Sequence, residues 1–168
     1  MITDKTALRN ISNDWMMIGG HCHYAKDLCW FSDDYKKFNH ALDIDGGNEV
    51  IGIGTVVLQV RCSLKNNQCK QLILKNVLHI PNALCNGFEF KSHCDSFRAT
   101  EGKLFCCDES KKQIFYGTVL TCLYPRLILA ENVGCSYMHG AKNQFLDIFL
   151  RKKEMLDLFG AKYPFYSQ

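Results

Sequence analysis

The sequence predicts an all-β domain, a partly closed barrel of short strands that ends in one C-terminal helix. Three observations carry that prediction. Residues 49–62 form a long β-branched and apolar run, shorter apolar runs separated by turn residues follow it, and the spacing turns helical after residue 143.

The first predicted strand covers 12–18, Ser-Asn-Asp-Trp-Met-Met-Ile, and runs into a tight turn at Gly19-Gly20. Residues 21–48 are polar and aromatic, with turn signals at Asp33-Asp34 and Gly46-Gly47. Residues 49–62 are apolar on both parities, as a strand buried on both sides would be. Gly52 and Gly54 inside that run mark a bend or bulge. Asn66-Asn67 supplies a hairpin turn, and 71–80 returns as a strand up to Pro81. Shorter strands are expected near 88–91, 96–99, 103–107, 112–116, 118–123 and 126–130. Over about 143–160, Phe145, Ile148, Phe149, Met155, Leu156 and Phe159 recur at helical spacing, with Asn143 as N-cap and Gly160 as C-cap. No repeat, linker or low-complexity tract interrupts the chain, so 1–168 reads as a single domain.

Composition narrows the function. The net charge is only +3, and the basic clusters at Lys36-Lys37, Lys111-Lys112 and Arg151-Lys152-Lys153 lack interleaved aromatics, which argues against nucleic acid. No stretch reaches the roughly 20 apolar residues of a membrane span. The first ten residues have no apolar h-region, so the expected compartment is the cytoplasm, with the ten cysteines mostly reduced.

Three segments carry a family resemblance. They are Asp14-Trp15-Met16-Met17-Ile18-Gly19-Gly20, then Val50-Ile51-Gly52-Ile53-Gly54-Thr55-Val56-Val57-Leu58, then Leu74-Lys75-Asn76-Val77-Leu78-His79-Ile80-Pro81. Over residues 14–86 the chain resembles the retropepsin-like protease domain of copia-type (Ty1-type) retrotransposon polyproteins, in particular the fungal ones. The resemblance implies a retropepsin-like β-barrel and a homodimer, in which each subunit supplies one Asp before Ser/Thr-Gly. Here that position is Ile18, followed by Gly19. Aspartic proteases need two carboxylates sharing a proton, so the resemblance implies a pseudo-protease, a domesticated transposon domain without the dyad. Asp14 lies too early in the strand to replace the missing Asp, and Asp45-Gly46-Gly47 lies outside the matched turn.

Two function classes follow. The first is a protease-dead binding module for a protein partner or an apolar small molecule. The second is a cofactor-free enzyme, acting by acid/base chemistry and shape on an apolar small molecule (cyclisation, isomerisation or elimination) in the former protease cleft. For the second, Asp14, His21 and His23 are the candidate catalytic residues. Trp15, Ile18, Gly19, Gly20, Cys22, Tyr24 and His79 are the candidate binding residues in either case. His21-Cys22-His23 with Cys29 has zinc-type donors without the spacing of a zinc knuckle, so neither a metal nor a cofactor is expected.

Overall fold

The computed structural model describes residues 11–44, 46–119, 123–131, 138 and 145–160. Ten strands form one mostly antiparallel sheet: β1 Trp15–Ile18, β2 Tyr24–Ala25, β3 Lys36–Ile44, β4 Asn48–Arg61, β5 Cys69–His79, β6 Asn86–Glu89, β7 Ser96–Thr100, β8 Lys103–Cys107, β9 Gln113–Val119 and β10 Pro125–Leu127. One short helix, α1 (Lys152–Phe159), follows. Among the described residues no helix is long and apolar enough to cross a membrane.

The strand order is β3-β4-β5-β2-β6-β1-β10-β9-β8-β7, an unclosed sheet with β3 and β7 at its edges. It nevertheless curls back on itself. Arg61 donates its amide to Ile128 O at 3.0 Å and Ala130 donates to Gln59 O at 2.8 Å, so the end of β4 meets the segment after β10.

β1 sits at the centre, parallel to β6 and antiparallel to β10. A strand covered on both faces needs apolar side chains at every position, and Trp15-Met16-Met17-Ile18 supplies them. Trp15 and Met17 enter a core with Val56, Leu58, Phe88 and Phe115. Met16 and Ile18 enter a second core with Val50, Leu78, Ile80 and Cys85. β1 is thus the wall shared by two cores, and its end places the turn at residues 19–21.

Several sequence expectations need correction. β4 is buried on one face, not two: Val50, Val56, Leu58 and Val60 are inside, while Val57 and Gln59 are exposed. The second face stays apolar in sequence because Val57 pairs with Ile73 of β5, itself exposed, across the hairpin. The expected bulge is real, since the β4–β5 register shifts between Gly54 and Val56. β3 occupies part of the stretch read as polar loop. It is an edge strand whose side chains are mostly exposed, so it carries no apolar alternation. The runs at 112–116 and 118–123 contribute one strand, β9, to residue 119; residues 120–122 lie outside the described set.

The helix is shorter than expected. Residues 145–151 are not helical, and Asn143, the proposed N-cap, lies outside the described residues. The helix begins after Arg151, whose amide donates to Glu154 Oε2 at 2.7 Å, and ends at Gly160. In 145–150 the burial alternates: Leu146, Ile148 and Leu150 are inside, Phe145 and Phe149 outside. The amides of Leu146 and Leu150 and the carbonyls of Leu146 and Ile148 bond to the β-body, which takes them out of any i→i−4 ladder.

Candidate functional site

The turn after β1 is the natural place to look, and it is covered by the chain's own residues 145–150. Ile148 O accepts the His21 amide at 2.9 Å, and His21 Nδ1 accepts the Leu150 amide at 3.0 Å. The Tyr24 hydroxyl donates to Leu146 O at 2.7 Å, while the Tyr124 hydroxyl accepts the Leu146 amide at 3.3 Å. Gly20 has φ +81°, and a Cβ there would lie 2.5 Å from Ile148 O, so only glycine permits this closeness.

The segment also delivers a carboxylate. Asp147 Oδ1 accepts the Gly19 amide at 2.8 Å, so a carboxylate rests on the turn where Ile18 itself offers none. Burial raises the Tyr124 phenol pKa, and the Asp147 carboxylate beside it adds to the rise. Burial also pushes the Tyr24 phenol up, helped by the thiols of Cys85 and Cys22. Asp147 with Tyr124 is therefore an acceptor beside a neutral hydroxyl donor. Phe149 stacks edge-on against His21 at 5.3 Å and lies 6.3 Å from Phe145, leaving an exposed aromatic group over the turn.

His23 lies on the other side of β1's end, against Phe88. Its Nδ1 accepts the Glu89 amide at 3.0 Å, so that nitrogen carries no proton. The proton of the neutral ring is then on Nε2, which faces His93 Nε2 at 3.3 Å and donates to it. Desolvation, and secondly the nearness of His93, pushes the His23 pKa down to about 3. A ring neutral throughout the physiological range and bonded at both nitrogens is a structural group rather than a proton carrier. The same geometry disfavours a metal on Nε2, because a ligating imidazole normally donates from its other nitrogen. Among the described residues no group of three or more His, Cys, Asp or Glu could hold a metal ion. Cys22 is buried in the second core and Cys29 is exposed, and among the described cysteines none forms a disulfide.

The remaining candidates sit apart from the turn. Asp14 is fully buried, with Arg126 Nη1 at 3.4 Å and the Met138 amide donating to Oδ2 at 3.0 Å. Trp15 is core, edge-on to Trp30 at 5.5 Å, and its Nε1 has no hydrogen-bond partner among the described residues. His79 shares a 2.7 Å hydrogen bond with the Tyr35 hydroxyl under Phe31, and burial lowers its pKa. The structure therefore gathers Ile18, Gly19, Gly20, His21, Cys22 and Tyr24 around 145–150, and gives Asp14, Trp15, His23 and His79 other neighbours. Sequence reasoning missed Asp147 and His93. The alternation Leu146-Asp147-Ile148-Phe149-Leu150 was the available signal for an extended segment there.

No family model, no curated protein and no solved structure matches this chain.

Proposed function

We propose that this is a protease-dead, retropepsin-like domain that works by binding, and that its partner is a second copy of the same chain. One observation carries the reading. The turn that bears the catalytic Asp in the family it resembles ends here in a fully buried Ile18 and lies under Leu146, Ile148 and Leu150. A hydrolase needs water and a peptide at that turn, which residues 145–150 cover with their own hydrogen bonds. The exposed aromatic group of Phe145, Phe149 and His21 sits on the same side and offers an apolar contact surface.

The test is sedimentation of the purified protein at rising concentration, beside incubation with a mixed peptide library. The reading expects reversible self-association, weakened by Phe149→Ser with Phe145→Ser, and no cleaved peptides. Peptide cleavage, or a strict monomer at hundreds of micromolar, would overturn it.

A second reading rests on Asp147. Its carboxylate on Gly19 beside the Tyr124 hydroxyl is a base and an acid in one place, which suits cofactor-free proton transfer on an apolar small molecule. A thermal-shift screen of apolar metabolites separates the two readings. Stabilisation by a metabolite, abolished by Asp147→Asn, favours the enzyme; a uniformly flat screen removes it.

A further inference from the structure

Where the curled sheet meets itself, between the end of β4 and the segment after β10, there is a polar cavity of about 170 Å³. Arg61, Arg126, Tyr116 and Asn13 line it, with the main chain of Ile128 and Ala130. Three of those main-chain groups are already used: Ile128 donates to Tyr116 O and accepts from Arg61, and Ala130 donates to Gln59 O. The side-chain polarity of the cavity comes from Arg61, Arg126, Tyr116 and Asn13.

These side chains are not spent on one another. Among the described residues the Arg61 guanidinium has no ion-pair or hydrogen-bond partner, and neither has the Tyr116 hydroxyl, although Tyr116 is buried and its ring stacks on Phe105 at 5.9 Å. Asn13 Oδ1 is buried with no partner. Amide oxygen and nitrogen exchange by a simple flip, so Asn13 can present N–H donors to the cavity. Arg126 is fixed by the buried Asp14 carboxylate at 3.4 Å, which balances one of the two positive charges and leaves the other uncompensated. A buried polar atom without a partner, as Asn13 Oδ1 is among the described residues, is rare in folded proteins and calls for a ligand or water. A group that is anionic, rich in acceptors and small would meet the Arg61 guanidinium, the Tyr116 hydroxyl and the Asn13 amide at once, since guanidinium forks match oxyanions in charge and geometry.

We infer that this seam is a binding site for the oxyanion group, phosphoryl or carboxylate, of a small solute. Arg61 is its principal charge, Tyr116 and Asn13 are neutral donors, and Arg126 is a second guanidinium held in place by Asp14. The site is independent of the turn after β1 and of any role proposed for it.

The test uses the full chain in thermal-shift and calorimetric titrations with sodium phosphate, sulfate and acetate, each against sodium chloride of equal ionic strength. Expected is a rise of about 3 °C at ten times the Kd for at least one oxyanion, with no rise in chloride. Arg61→Gln should weaken that binding at least tenfold while leaving the ligand-free Tm unchanged, because Arg61 has no partner to lose. Tyr116→Phe should weaken it less, as loss of one neutral donor does. Preference for phosphate and sulfate assigns a phosphoryl ligand, and preference for acetate a carboxylate. Oxyanions acting no differently from chloride, or binding undiminished in Arg61→Gln, would overturn the assignment.

Discussion

Lowering the pH from 7.5 to 5.0 should destabilise this fold by about 2 kcal/mol through His23 alone. In the folded chain its pKa is depressed to about 3 by burial and by His93; in the unfolded chain it returns to about 6.5. Between those values the unfolded state binds a proton that the folded state does not, so stability falls as the pH falls. Each unit crossed below 6.5 costs about 1.4 kcal/mol, and a unit and a half is crossed by pH 5. For a domain of this size that corresponds to about 4–8 °C in Tm. His93 and His79 are also depressed, chiefly by desolvation, and act in the same direction. The carboxylates held low by hydrogen bonds, Asp34 through Thr55 and Glu154 through Arg151, lose their contribution only at still lower pH. The window from 7.5 to 5 therefore belongs to histidine. Urea unfolding followed by tryptophan fluorescence across that range measures the loss, and imidazole NMR reports which ring titrates. Stability constant to within about 0.5 kcal/mol, or a His23 ring that titrates near 6.5, would refute both the buried pair and its assigned tautomer.

Other perturbations test the remaining contacts. Gly20→Ala combines a φ of +81° with a Cβ at 2.5 Å from Ile148 O, and should cost about 2 kcal/mol or lift 145–150 off the turn, seen as faster amide exchange at His21 and Leu150. Ile148→Ala removes a buried side chain from the second core, and should lower stability by about 2–4 kcal/mol in denaturant titration. Asp147→Asn keeps the shape but loses the charge-assisted bond to the Gly19 amide, for about 1 kcal/mol in the same titration. Arg126→Met leaves the fully buried Asp14 without its guanidinium, and a loss of about 3 kcal/mol is expected in the same titration.

The central strands were legible because their burial leaves a mark on composition. Trp15-Met16-Met17-Ile18 is covered on both faces and reads as an unbroken apolar run, and the two long strands of the β4–β5 hairpin are rich in β-branched residues. β3 was not legible, because an edge strand with exposed side chains has no apolar periodicity to read. Residues 145–150 were misread for a different reason. Phe145, Ile148 and Phe149 fit a helical stripe, but a segment of six residues fits period 2 equally well, and the decision came from distant partners, Tyr24, Tyr124 and His21. The turn at Ile18-Gly19-Gly20 could be found by its motif. That it would be roofed by the chain's own C-terminal part, with Asp147 on Gly19, is a contact across 128 residues that no local pattern encodes. The seam cavity escaped notice similarly, since Asn13, Arg61, Tyr116 and Arg126 come from four separate stretches.

The central place of β1 also sets an order of events during synthesis. Its neighbours are Asn86–Glu89 and, opposite Met16, Arg126. A ribosome adding about 5–20 residues per second makes Trp15-Met16-Met17-Ile18 wait on the order of 5–20 s for the second of them. Throughout that interval the most apolar tetrapeptide of the centre has no strand on one side, and the roof over its last residue has yet to be translated. The nascent chain thus carries an apolar segment without one of its strand partners from early in synthesis.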